Sequence, residues 1–297
     1  LVYWIGGNPF HHHQDLNKLL TAWEKPETII VHEPYWNALA KRADIVLPVA
    51  TSLEREDFAI GMADNWLSWM DQVAEPPAGV TTDFQAFAEI TDALGVNEVF
   101  TEGRTAEQWV EHLWTASIRK AAGMGFELPE LSQFREQGSV ELDMPRAAPT
   151  AFSLLRADPN ANPLTTPSGK SEHYSATIAG FDYADGPAWA RWMEPAEWLG
   201  SPLAEKYPLH LLSPQPDGKL HSQLDHGSES QRHKVHGRTV ARMSVVEADR
   251  RGIENNNLVR IFNDRGACLA TARLDPSLRD GVITLPTGAW FDPVDPA

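Results

Sequence analysis

Three stretches of this chain carry residues whose types and spacing suit chemistry. The first is Gly6-Gly7-Asn8-Pro9, set directly after the apolar run Val2–Ile5. Glycines there let the backbone approach an anionic group closely and offer it N–H donors, although the same four residues also read as a generic turn. The second is a pair of carboxylates. Glu33 follows the β-branched run Thr28–His32, where a carboxylate can accept from ribose hydroxyls or from the N1–H and N2–H edge of guanine. Asp83 reads equally as the N-cap of a helix over Phe84 to Leu94 or as a second acceptor. The third is the polar loop holding Ser213, Gln215, Lys219, His221, Ser222 and Gln223, which by itself is ordinary polar surface. Asn263 by itself is a turn residue. His11-His12-His13 does not make a metal site, because consecutive side chains diverge and no Cys, Asp or Glu cluster has matching ligand spacing.

These residues need elements to position them. Residues 1 to about 100 alternate short apolar runs with helical spacing. Val2–Ile5, Thr28–His32 and the buried run Ile45–Pro48 read as strands, Leu16–Trp23 as a helix, and Tyr35–Arg42 as a helical turn or two. Phe84, Phe87, Ile90 and Leu94 are spaced to share one helix face. Strands alternating with helices predict a parallel sheet, whose ligands lie at the carboxyl ends of the strands. The loops after Ile5, His32 and Pro48 belong to that edge. Residues 104–122 predict another amphipathic helix.

From about 126 to 207 the chain is Pro-rich and irregular, with turns at Pro159, Pro163, Pro167-Ser168-Gly169 and Pro187. Trp189, Trp192 and Trp198 give this stretch surface to bury. From 208 onward, Leu209–Leu212, Leu258–Phe262, Ala267–Ala272 and Gly281–Leu285 predict short strands, with Asn263-Asp264-Arg265-Gly266 as a hairpin turn. Ser244-Val245-Val246-Glu247 reads as a capping box before a helix over Ala248–Gly252. Several short strands and one small helix predict a compact β-barrel.

The bulk numbers narrow the function classes. At 297 residues the chain can hold one large or two ordinary domains. A net charge of −16 argues against non-specific nucleic-acid binding and favours a soluble chain. No apolar run reaches the length of a membrane span. The lone Cys268 excludes an internal disulfide framework and a cysteine-rich zinc or iron–sulfur site. The opening inside an apolar run, without an initiator Met, leads us to expect part of a longer protein.

Taken together, several motifs resemble one family. They are Gly6–Asp15, Ala43–Pro48 with Thr51–Asp57, Leu220-His221-Ser222-Gln223-Leu224, Asn263–Gly266 and Gly288-Ala289-Trp290-Phe291-Asp292-Pro293. Their order and spacing resemble the dimethyl sulfoxide reductase family of molybdopterin oxidoreductases, most closely its biotin sulfoxide and trimethylamine N-oxide reductase branch. The resemblance covers essentially the whole chain. It implies an α/β, Rossmann-like portion over 1–125 that binds molybdopterin guanine dinucleotide, a connecting segment over 126–207, and an incomplete double-psi β-barrel over 208–297. It implies bis-molybdopterin guanine dinucleotide with molybdenum as cofactor, with the metal ligand expected before Leu1 and the last part of the barrel after Ala297.

The resemblance also implies site residues. Gly7 and Asn8 would meet the diphosphate, and His12 and Gln14 match positions that reach the cofactor. Asp83 matches a guanine acceptor, and Glu33 stands where relatives often carry Asp. Ser213, Gln215, His221, Ser222 and Gln223 would lie across the pterin face, with Gln215 matching a position that is His in some relatives. Gly218-Lys219 replaces an Asn-Arg pair, keeping the charge but losing the planar fork. Asn263 would hydrogen-bond a pterin. Glu54 and Asp57 are read as solvated charges. The activity implied is oxygen removal from a small S-oxide or N-oxide, served by an electron-donor protein, with this chain alone inactive. The resemblance leaves bacterial cytoplasm and periplasm equally open. A non-catalytic nucleotide-binding or assembly module of the same build is the alternative.

Overall fold

The computed structural model describes residues 1–61, 64–143 and 150–293. In chain order it has β1 (Val2–Ile5), α1 (Pro9–His12), α2 (Leu16–Trp23), β2 (Ile29–Glu33), β3 (Ile45–Pro48), β4 (Asp57–Ile60), β5 (Trp66–Met70), α3 (Asp83–Ala93), α4 (Asn97–Thr101) and α5 (Ala106–Gly123). There follow α6 (Leu131–Gln137), β6 (Ser139–Glu141), α7 (Ser153–Ala157), α8 (Ala176–Ala179), β7 (His210–Leu212) and α9 (Ser228–Arg232). The last elements are β8 (Val240–Met243), α10 (Val245–Asp249), β9 (Leu258–Asn263), β10 (Gly266–Leu274) and β11 (Val282–Thr284). They fall into two compact units, 1–143 with 211–297, and 144–210. The stretch 126–207 falls across this division, α6 and β6 lying in the first unit.

Within the first unit, β1, β2 and β3 form the parallel sheet in that order. Ile5 pairs with His32, and His32 with Leu47, so the strands end level at one edge. A parallel bridge from Val49 to Thr81 extends that edge to the start of α3. Phe10, Ile29, Val31, Ala38 and Leu39 form the core beneath, with Trp4, Leu16, Trp23 and Phe291 packed against it. The strand Ile45–Pro48, expected to be buried, is not: Ile45 is 46% exposed, because β3 is bordered beyond β2 only by that bridge.

A second, antiparallel sheet of β4, β5 and β6 was not legible in the sequence. Leu67 and Trp69 point into a cluster with Trp114 and Phe134, whose rings stack 4.0 Å apart. The third sheet is mixed, in the order β7-β11-β8-β10-β9. β10 pairs parallel with β8 and antiparallel with β9, and Asn263 sits opposite Gly266 across the predicted hairpin turn.

Several local expectations change. Asp83 is not the N-cap of α3. Thr82 is, its hydroxyl accepting from the Gln85 N–H at 3.1 Å, and this frees the Asp83 carboxylate for another partner. Leu94 leaves the expected apolar face and is 70% exposed, because it lies past the helix end. The helix after Ser244 spans Val245–Asp249 rather than Ala248–Gly252. Ser244 caps it, but Glu247 does not complete a capping box, because its buried carboxylate pairs with Arg250 and Arg251. Glu54 is not simply solvated either: it closes a capping box with Thr51.

Among its described residues the second unit holds the short helices α7 and α8, turns and hydrogen-bonded loops such as Ser175 N–H to Ala188 O at 2.8 Å, up to the first residue of β7. Its tryptophans are not buried as expected, Trp192 being 80% exposed, since the described residues around them form turns and loops with no sheet to pack against.

Candidate functional site

The loop after β1 puts Gly6 and Gly7 in the left-handed region, φ +68° and +69°, where glycine carries no Cβ penalty. Nothing crowds either position within 4 Å except the His12 imidazole at the limit. Asn8 then caps α1, its side-chain oxygen accepting from the Phe10 N–H at 3.0 Å. The Asn8 amide nitrogen is buried and has no partner among the described residues. Thr81, on the same edge, keeps a buried hydroxyl that likewise has no partner among the described residues. A buried polar atom left unpaired costs about 1–3 kcal/mol, so both suit a polar ligand laid along the edge.

Glu33 leaves β2 at this edge. Burial pushes its carboxyl above the ordinary value, against a hydrogen bond from Asn37. Asp83 opens α3, where negative charge is favourable, and its Oδ1 lies 2.7 Å from His32 Nδ1. His32 Nε2 in turn meets the Tyr3 hydroxyl at 2.8 Å. His32 itself is 3% exposed. Gly7, Asn8, Glu33 and Asp83 are thus brought to one edge by register. His12, His13 and Gln14 are exposed beside them.

The second group lies in the loop after β7, which is tied down at its start by Thr287 N–H to Pro214 O. Gln215 Nε2 and His221 Nδ1 are 2.8 Å apart, both exposed. Ser213 and Gln223 are exposed, and Ser222 gives its carbonyl to Trp290 Nε1 at 2.7 Å. The loop is anchored by Asp225, which is 5% exposed and takes hydrogen bonds from Lys219, from Lys234 at 2.8 Å and from the Trp290 N–H at 3.1 Å. Burial works to raise the Asp225 carboxyl, but these partners outweigh it and hold it below the usual range. Lys219, read as a loop cation, is therefore also a structural partner. It reaches the Gly288 carbonyl at 2.6 Å as well.

The two groups meet. His11 stacks on Trp290, Phe10 on Phe291, and Tyr35 tilts against His226 at 4.9 Å. His11 Nε2 is buried without a partner among the described residues. The Asn263 side chain is engaged within its own turn: its side-chain oxygen accepts from the Arg265 N–H, and Arg265 O receives Asn17 at the head of α2. The residues missed by sequence reasoning are Tyr3, His11, His32, Asp225 and Trp290. Of these, His11 and Trp290 carried a signal, lying in the Gly6–Asp15 and Gly288–Pro293 motifs. Among the described residues no three His, Cys, Asp or Glu side chains gather as a metal site. No helix among them is long and apolar enough to cross a membrane.

The edge therefore offers two carboxylate acceptors, an amide donor and a hydroxyl in a row, and faces a loop rich in amide and imidazole groups. Comparison with known proteins agrees with that division. The family described as "Molybdopterin oxidoreductase" matches residues 1–93, and the one described as "Molydopterin dinucleotide binding domain" matches residues 209–296. The chain is 46% identical over 296 residues to a biotin sulfoxide reductase of Cereibacter sphaeroides, covering 99% of this chain and 39% of that protein. It is 40% identical over 300 residues to a dimethyl sulfoxide/trimethylamine N-oxide reductase of the same organism, covering 100% and 36%. A trimethylamine-N-oxide reductase of Haemophilus influenzae is 38% identical over 298 residues, covering 99% and 36%. The chain thus spans less than two fifths of the length of each of these relatives. The fold is shared with acetylene hydratase from Pelobacter acetylenicus, with a TM-score of 0.71 at 19% identity, over 97% of this chain and 37% of that one. The chain thus carries a molybdopterin oxidoreductase match and a molybdopterin dinucleotide-binding match in sequence, and is similar along nearly its whole length to these reductases.

Proposed function

We propose that this chain holds molybdopterin guanine dinucleotide within a molybdenum enzyme that removes an oxygen atom from an S-oxide or N-oxide. The observation that carries the reading is the shared edge: Gly7, Glu33 and Asp83 leave successive positions of one sheet edge, where Asn8 and Thr81 keep buried polar atoms unpaired. The parallel-sheet portion is read as Rossmann-like and the mixed sheet as part of a double-psi barrel. The matching division takes 1–125 as the nucleotide-holding part, 126–207 as connection and 208–297 as barrel.

In this reading the Gly7 backbone and the Asn8 amide face the diphosphate, while Glu33 and Asp83 accept from the guanosine. His12, Gln14, Ser213, Gln215, His221, Ser222, Gln223 and Asn263 line the pterins. The group, when bound, supplies the oxygen-atom transfer and its two electrons. The chain's residues bind it, orient it and keep the loop 213–223 against the sheet edge through Trp290. An electron-donor protein would return the electrons.

The test is the metal and nucleotide content of the purified protein that carries this chain. Molybdenum together with released guanine nucleotide is expected, and Asp83→Ala should weaken retention by about 1–3 kcal/mol. Neither metal nor nucleotide would point to a non-catalytic module. Unchanged content in the variant would remove Asp83 from the contact set.

A further inference from the structure

We propose that His32 is a positioning residue: the chain Tyr3–His32–Asp83 locks the Asp83 carboxylate so that it discriminates guanine from hypoxanthine. This rests on the reading of Asp83 as a base acceptor. The two side chains differ sharply in environment. The Asp83 side chain is 53% exposed, whereas that of His32 is 1% exposed. One carboxylate oxygen is thus tied to a ring inside the fold, and the rest of the carboxylate is presented at the sheet edge.

The ring itself has little freedom. It stacks on Phe87 with centroids 5.1 Å apart and lies 5.4 Å from Tyr3. Tyr3 in turn stacks on Phe87 at 5.7 Å. Its two nitrogens face different partners. Nδ1 faces a carboxylate, which only accepts, so Nδ1 carries the proton. Nε2 then accepts from the Tyr3 hydroxyl. Burial, and after it the Asp83 charge, raise the Tyr3 hydroxyl above its ordinary value, which keeps it a donor.

Guanine presents N1–H and N2–H side by side, and a fixed carboxylate accepts both. Hypoxanthine presents N1–H alone. A carboxylate free to swing adapts to either base and must be ordered when the ligand arrives, so loosening it erodes selectivity as well as affinity. A residue that only supported the fold would change stability and leave the selectivity ratio alone.

The experiment titrates the chain with GDP and with IDP, and reads the His32 tautomer from its ring nitrogen shifts. GDP should bind about tenfold or more tightly than IDP, the scale of one hydrogen bond to a charged acceptor. His32 should show a protonated Nδ1 and an unprotonated Nε2. Asp83→Asn should abolish the preference, and His32→Gln should cut it severalfold. Tyr3→Phe keeps the aromatic stack and should cut it less, and it carries the test if His32→Gln does not fold. A preference lost in Asp83→Asn but intact in both other variants overturns the role of His32 and leaves the Asp83 contact standing. A proton found on Nε2 with Nδ1 bare overturns it too. A wild-type chain that binds no GDP, or binds both nucleotides alike, removes the Asp83 contact and the proposal with it.

Discussion

The His11 imidazole lies against the Trp290 indole, centroids 5.7 Å apart and planes 19° from parallel, so a residue following the glycine loop covers one from the far end of the chain. Trp290 also donates from its indole to Ser222 O and from its backbone to Asp225. A single indole therefore couples the sheet-edge loop to the 213–223 loop.

Acid should loosen that coupling as the pH falls toward about 4. Burial pushes the His11 imidazole from 6.5 down to about 4, with His12 adding to the shift and Asp225 opposing it. The unfolded chain then binds the proton more readily than the folded one. The His11 contribution is complete above about 6.5 and is lost as the pH falls toward about 4. His11→Phe keeps a stacking ring and removes the titration. The difference in urea stability between wild type and variant should therefore vary with pH across that window. A flat difference would show that His11 takes its proton freely in the fold.

Asp225 sits between Lys219 and Lys234, with side-chain exposures of 7%, 8% and 13%. Asp225→Asn leaves two largely buried ammonium groups uncompensated, and should cost about 3 kcal/mol in denaturant unfolding. Glu229→Gln, which breaks the exposed pair with Arg232, should cost at most about 1 kcal/mol. Because the folded-state Asp225 carboxyl lies below its ordinary 3.8, its contribution holds above that value and fails as the pH drops through the folded one. Equal costs for the two variants would mean that Asp225 is not the anchor of the loop.

What could be read in advance follows from how local each signal is. The strands β1, β2 and β3, the helices α2 and α5 and the turn at Asn263–Gly266 each carry their own pattern within a few residues. The sheet of β4 to β6 does not: Trp66-Leu67-Ser68-Trp69-Met70 is apolar on both faces, and the 43% exposed Trp66 hides the alternation of β5. β8 was lost because it is short and holds Arg242 among apolar residues. Thr82 and Asp83 are adjacent and equally suited to cap a helix, so only the fold assigns the cap to one and frees the other. His32 meets Asp83 across 51 residues of sequence, a distance at which no spacing rule operates.

Gly288 should be nearly irreplaceable. Its φ is +83°, and a Cβ built there would fall 1.9 Å from the His221 carbonyl oxygen. Gly288→Ala therefore combines left-handed strain with a backbone clash, together about 2–4 kcal/mol. Gly237 has φ +70° with open space around it, so Gly237→Ala should cost only about 1 kcal/mol. Matching losses of stability would show that the 288 segment moves away from His221 without cost.

Arg42 joins the two ends of the chain by a different force. Its guanidinium carbon lies 4.9 Å from the Phe10 ring and 4.9 Å from the Phe291 ring, and its Nη1 donates to Ala38 O at 2.9 Å. Phe10 is 1% exposed and belongs to the core under the parallel sheet, so Arg42 ties Phe291 to that core rather than to a surface. A partly desolvated cation between two rings is worth about 1–2 kcal/mol. Arg42→Met keeps much of the aliphatic volume and removes the charge. The loss should concentrate on the segment that carries Phe291, where the Trp290 N–H is held by Asp225. Hydrogen exchange at the Trp290 amide should then quicken, while exchange at Ile30 in the middle of the parallel sheet stays near wild type. If both amides quicken together, Arg42 supports the sheet core as a whole. If neither changes, the stacked pair Phe10–Phe291, with centroids 6.0 Å apart, holds the seam without the cation.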